Sequence, residues 1–264
     1  MVEWQGERTA SGPVSGRKGA KMADFLSKLL KKAAKKRPYC AAVVPAAGSA
    51  RRMEGVDKLG AQLGGKPVLA RTLEALESCP LIDEIVVVTR EEQIPAIGEL
   101  CRSYGIKKLK CVVRGGADRA ESVELGLREI SPEAELAAVH DGARPFVSQR
   151  LLEEVLTTAA RTGAAVPAVP VKDTIKEAED NLVERTLDRS RLWAVQTPQV
   201  IQADVLLGAL KHCREKGVSI TDDCSAVEAM GMAVTLTRGE YENIKITTPI
   251  DLAFGEAILK CQQD

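Results

Sequence analysis

From Cys40 onward the chain alternates short apolar runs of β type with amphipathic stretches of helical period, and no other feature limits its fold as tightly. The β runs fall at 40–44, 84–89, 109–113, 136–140 and 164–169, with helical patterns near 67–78, 93–104, 119–130 and 148–162 between them. Runs such as EIVVVT lack polar alternation, so both faces of those strands must be covered. Strands separated by helices predict the α/β class: a mainly parallel sheet with helices on both faces. Ligands of such sheets bind beyond the carboxyl ends of the strands, so the loops that follow the strands are where chemistry belongs.

Two segments depart from this rhythm. Residues 171–190 are charged, with short alternating pieces around a turn at Asp180 and Asn181, and predict a projecting hairpin. Such a hairpin cannot bury its own face and needs another surface to pack on. The α/β pattern then resumes, with strands expected at 233–237 and 243–246 and a closing helix from Pro249. Residues 1–38 are expected to be a separate extension, predicted disordered over about the first twenty residues and then a basic amphipathic helix. The extension carries ten basic against three acidic side chains, so in a chain of zero net charge residues 39–264 hold an equal surplus of acid. That balance argues against nucleic acid as partner of the main domain.

A length of 264 residues suits one large domain, and no apolar stretch reaches the length of a spanning helix or a secretory h-region. A membrane is therefore not an expected partner. Seven cysteines, odd in number and without a CxxC pair, fit neither a disulfide framework nor a zinc site and point to a reducing cytoplasm. Cys224, inside TDDCS, is the one expected nearest a site.

The loop after the first strand, PAAGSARRMEGVDKL, matches neither the dinucleotide GxGxxG pattern nor GxxxxGK[ST]. It offers a turn of small residues whose backbone N–H groups can approach an anion, then Arg51, Arg52 and Lys58, a combination suited to a triphosphate with its metal. VHDGARP (139–145) ends the fourth strand, where Asp141 can hold Mg²⁺ or merely cap a turn, and Arg144 can pair a phosphate. His140, in an apolar strand, reads as a core histidine. GGADRAES (115–122) brings a glycine pair and the Ser122 hydroxyl. Thr221 reads equally as a helix N-cap. Lys245 lies in a β-type run at the functional edge and calls for an anionic partner. No Ser/His/Asp or HExxH pattern is present. Chemistry whose nucleophile is an already ionised phosphate needs no such base, only cations that hold two anions in line.

PAAGSARRM, DKL, GGADRAES, VHDGARPF, DTIK, TLDRSRLW, QTPQ, ITDDCSAVE and ENIKITTP, in this order from about Tyr39 to the last helix, closely resemble the 2-C-methyl-D-erythritol 4-phosphate cytidylyltransferases. The resemblance implies a Rossmann-like sheet of the nucleotidyltransferase type with a hairpin arm at about 171–190 that makes a homodimer. It implies that Ala46, Ala47 and Gly48 cradle CTP, that Gly116 and Ser122 contact the cytosine, and that Arg52 and Lys58 act on the phosphates. Asp141 would serve a divalent cation, Mg²⁺ or another, and the sugar phosphate. Arg144, Thr197, Thr221 and Lys245 would line the sugar-phosphate pocket, with Thr174 and Arg189 completing the partner's site and Lys245 also catalytic. Transfer of CMP from CTP to the methylerythritol phosphate, with release of pyrophosphate, is the implied reaction. Transfer to D-ribitol 5-phosphate and silent nucleotide binding are the alternatives. Ala50 stands where the family usually has glycine, and Ala117 where relatives are often polar.

Overall fold

A computed structural model describes residues 37–47 and 59–262. The N-terminal extension as far as residue 36, and loop residues 48–58 with Gly48, Ala50, Arg51, Arg52 and Lys58, lie outside the described residues. In chain order the elements are β1 (Tyr39–Pro45), β2 (Gln62–Leu63), β3 (Lys66–Pro67), α1 (Val68–Glu77), β4 (Glu84–Thr89), α2 (Ile94–Ser103), β5 (Leu109–Arg114), α3 (Arg119–Arg128) and β6 (Ala134–Val139). They continue with α4 (Gln149–Thr162), β7 (Ala164–Pro170), β8 (Lys176–Glu179), β9 (Leu182–Thr186), β10 (Trp193–Val195) and β11 (Gln199–Gln202). The last are α5 (Ala203–Lys216), α6 (Asp223–Glu228), β12 (Thr235–Arg238) and α7 (Pro249–Cys261).

Across the main sheet the strands run β12, β7, then β10 and β11 in line, β6, β1, β4 and β5. β1 pairs in parallel with both β4 and β6, β4 with β5, and β7 with β12. β11 is antiparallel to β6 and β7 and joins them. The chain moves outward from β1 through β4 to β5 and then returns to place β6 on the other side of β1. Two adjacent strands whose connections leave in opposite directions open a crevice at their carboxyl ends.

Successive residues of β1 serve opposite faces. Ala42 and Val44 pack with Leu69 and Leu73 of α1, Ile97 of α2 and Leu152 of α4. Val43 packs with Val123 and Leu127 of α3 and Leu206 of α5. This double cover is why the strands read as unbroken apolar runs. A Cβ on Gly126 of α3 would stand 2.6 Å from Val43 Cγ1 and 2.7 Å from Val88 Cγ2, so the missing side chain is what lets α3 lie close on the sheet.

The expected parallel strands and helices are observed with ends shifted by one or two residues. A hairpin also forms within 171–190: Asp180 and Asn181 take positive φ (47° and 64°), and β8 and β9 are exposed along their length. The strand expected at 243–246 is not one. Its neighbour is the loop after β6, to which it is held by Ile246 N–H on Ala143 O (2.8 Å) and Arg144 Nη1 on Asn243 O (2.7 Å).

Candidate active site

The crevice at the carboxyl end of β1 is a cleft of about 480 Å³. Its walls come from three loops that follow strands: Pro45 to Ala47 after β1, Gly116 to Ser122 after β5, and Asp141 to Ala143 after β6, with Lys245 facing them.

Asp141 is the electrostatic centre. Lys245 Nζ lies 2.7 Å from its Oδ2, Arg144 Nε 3.7 Å from the same oxygen, and Arg119 Nε 3.8 Å from Oδ1. Burial alone would raise the carboxyl pKa, but Lys245, Arg119 and Arg144 together bring it down to about 2. The group is therefore an anion at any physiological pH.

Behind Asp141 a buried chain fixes the loop. The Asp141 N–H donates to Thr197 Oγ1 (3.1 Å), Thr197 Oγ1 meets His140 Nδ1 (3.1 Å), and His140 Nε2 meets the Arg144 carbonyl (3.1 Å). A carbonyl only accepts, so Nε2 carries the proton, Nδ1 is the acceptor, and Thr197 donates to it. Burial pushes the His140 pKa down to about 4, and the ring is neutral. Asn243 closes the rear by donating Nδ2 to Thr197 O (3.0 Å).

Arg119, at the start of α3, bridges two carboxylates. Its Nη2 donates to Asp223 Oδ2 at 2.6 Å while its Nε faces Asp141. Asp223, on the first turn of α6, is fully buried, and burial pushes its carboxyl up against the pull of Arg119. Burial also opposes the Arg119 charge, yet Asp223 and then Asp141 raise the guanidinium pKa.

Of the residues named from sequence, Ala46, Ala47, Gly116, Ser122, Asp141 and Lys245 share this cleft. Several do so differently from expectation. The Ala46 N–H is taken by Val88 O (2.6 Å) and cannot face an anion. Ser122 accepts from Gly116 N–H (3.1 Å) and donates to Asp118 O (2.7 Å), so its proton holds the loop closed. Arg144 does not line the cleft; it lies half-buried behind Asp141 with Nη1 on Asn243 O. Thr197 is buried and acts on the Asp141 backbone rather than on the cleft. Thr221 is exposed and precedes α6, whose N-cap is Asp222. Thr174 and Arg189 sit exposed at the hairpin base, outside the cleft lining. Cys224 is buried, and burial raises its thiol pKa so far that it is no nucleophile. Sequence reading missed Arg119 and Asp223, although both stand inside quoted motifs. The signal was an arginine directly after a capping aspartate at a helix start.

A mainly parallel sheet covered on both faces, with a cation-rimmed cleft at its switch point, defines a doubly wound α/β protein built to bind an anionic ligand. Residues 40–261 match the family model described as 2-C-methyl-D-erythritol 4-phosphate cytidylyltransferase. A protein of that name from Halalkalibacterium halodurans is 45% identical over 218 residues, which cover 82% of this chain and 95% of the relative. The crystal structure of 4-diphosphocytidyl-2C-methyl-D-erythritol synthase from Anaerococcus prevotii superposes with a TM-score of 0.76 at 31% identity, covering 84% of this chain and 96% of that one. The 2-C-methyl-D-erythritol 4-phosphate cytidylyltransferase structure from Thermus thermophilus gives 0.69 at 35% identity, covering 83% and 98%. The chain belongs to the 2-C-methyl-D-erythritol 4-phosphate cytidylyltransferase family. Among the described residues no helix is long and apolar enough to cross a membrane.

Proposed function

We propose that the protein transfers CMP from CTP to 2-C-methyl-D-erythritol 4-phosphate in the cytoplasm, in the non-mevalonate pathway to isoprenoid precursors. The observation that carries this reading is the Asp141–Lys245 pair at the mouth of the switch-point cleft, in a chain matched to the family from residue 40 to 261. An oxygen of the sugar phosphate attacks the α-phosphorus of CTP, the bond from that phosphorus to the β-phosphate oxygen breaks, and pyrophosphate leaves. The nucleophile is already a dianion for the most part at neutral pH, so no general base is required.

The protein's task is to bring two polyanions together and to stabilise charge as it moves onto the leaving group. Lys245 can exchange its contact with Asp141 for one with the sugar phosphate, because its side chain is 38% exposed. Arg52 and Lys58 are assigned to the triphosphate, and the small residues Ala46, Ala47 and Gly116 leave room for the nucleotide. Thr174 and Arg189 reach a second copy's cleft through the exposed hairpin in a homodimer.

A divalent cation fits the donor set. Among the described residues no group of three or more acidic, histidine or cysteine side chains could hold an ion unaided. Mg²⁺ commonly takes one carboxylate together with substrate phosphates, and Asp141, ionised down to about pH 2, supplies that carboxylate. The ion would neutralise triphosphate charge.

The test is pyrophosphate release from CTP and Mg²⁺, with 2-C-methyl-D-erythritol 4-phosphate and D-ribitol 5-phosphate in parallel. Release with the first alone is expected; release with the second alone would move the protein to the polyol branch, and CTP binding without turnover would leave a silent binder.

A further inference from the structure

We infer that Asp223 is a positioning residue for this reaction, holding Arg119 from behind so that its guanidinium stays in the cleft as a cation for the reacting phosphates. The inference rests on the cytidylyltransferase reading and extends it to two residues outside the set assigned above.

Arg119 is lodged between two carboxylates. Nη2 is on Asp223 at 2.6 Å, Nε faces Asp141 Oδ1 at 3.8 Å, and Nη1 has no partner among the described residues. Arg119 lines the cleft with Asp141 and Lys245, and its side chain is 34% exposed. A phosphate entering there meets a guanidinium edge that is already aimed.

Asp223 is suited to aiming it and to little else. Its side chain is buried, and Oδ1 has no hydrogen-bond partner among the described residues. Burying a carboxylate with one oxygen unmatched is costly, and a simple tie between α3 and α6 would be served as well by neutral groups. The mount is rigid. Asp222 caps α6 through Ser225 N–H (2.8 Å), Gln199 Nε2 holds Asp222 Oδ2 (2.7 Å), and Gln199 Oε1 accepts Cys224 N–H (2.8 Å). Without the Asp223 charge, Arg119 would swing onto Asp141 and compete with Lys245, or follow the departing pyrophosphate. A lysine at position 119 could not take its place, since a point charge cannot span both carboxylates as a guanidinium does.

Four variants decide the matter: Asp223→Asn, Arg119→Gln, Arg119→Lys and the double Asp223→Asn/Arg119→Gln, each measured for pyrophosphate release and for melting temperature. Asp223→Asn is isosteric and is expected to lower kcat by roughly 10- to 100-fold with KM for CTP changed by less than about threefold. Arg119→Gln should lower kcat at least as much, Arg119→Lys should fail to restore it, and the double variant should be no slower than Arg119→Gln alone. Unchanged kcat in Asp223→Asn, or losses that multiply in the double variant, would overturn the inference. If the wild-type protein releases no pyrophosphate, the reading of the reaction fails separately. Calorimetric binding of inorganic pyrophosphate then decides: equal weakening in Asp223→Asn and Arg119→Gln supports the positioning role, and unchanged binding refutes it.

Discussion

Acid should weaken the fold through His140 before it reaches Asp141. The ring is fully buried, its Nδ1 accepts from Thr197 and its Nε2 donates to the Arg144 carbonyl, so a second proton has no partner. Its pKa stands at about 4 against an ordinary 6.5. Between those values the unfolded chain binds a proton that the folded chain refuses, and stability falls by about 1.4 kcal/mol per pH unit. The neutral ring's contribution is complete above pH 6.5 and lost by about pH 4, which amounts to about 3 kcal/mol, a large share of a typical ~5–15 kcal/mol. Asp141, depressed from 3.8 to about 2, takes over only below that window. Urea unfolding followed by circular dichroism at half-unit steps from pH 7.5 to 4 reads the slope. His140→Gln, which keeps a donor toward Arg144 O, should be less stable at pH 7.5 but lose about one proton's worth of slope between pH 6.5 and 4. Parallel curves for the two proteins across that range would refute the argument.

Three further outcomes are expected. Lys245→Met should cut kcat by about 10²- to 10³-fold while leaving the melting temperature within a few degrees, because the lysine is part-exposed and its partner keeps Arg119 and Arg144. A large drop in melting temperature would make it a structural residue. Gly126→Val would drive a branched side chain into Val43 and Val88 and should cost about 3 kcal/mol in urea titration; a wild-type midpoint would mean α3 can lift from the sheet at no cost. Mixing inactive Arg189→Ala and Lys58→Ala subunits should restore part of the activity through heterodimers with one intact site, and mixtures as inactive as their components would count against a site shared through the hairpin.

The sequence carried the central sheet and the loops that line the cleft at its strand ends, because both depend on local pattern. Strands buried on two faces are unbroken apolar runs, and Asp180 and Asn181 mark a turn by residue type alone. What escaped it depends on distance along the chain. The Arg119–Asp223 contact joins residues 104 apart, and neither side chain signals the other. The sequence 243–246 has β character, yet whether it pairs depends on what lies beside it, here the loop after β6 instead of a strand. Arg144 sits in a phosphate-like motif, but a carbonyl 99 residues away takes its Nη1 and turns it inward. Ser122 reads as a free hydroxyl until its own loop folds back on it.

The most direct test of the account is a ³¹P NMR time course of the purified protein with CTP, Mg²⁺ and 2-C-methyl-D-erythritol 4-phosphate, beside the same mixture containing Lys245→Met. The wild-type spectrum should lose the triphosphate signals and gain, in equal amounts, pyrophosphate and a coupled pair from a new diphosphodiester, with the variant far slower. Unchanged CTP, or CTP broken down without the diphosphodiester, would contradict it.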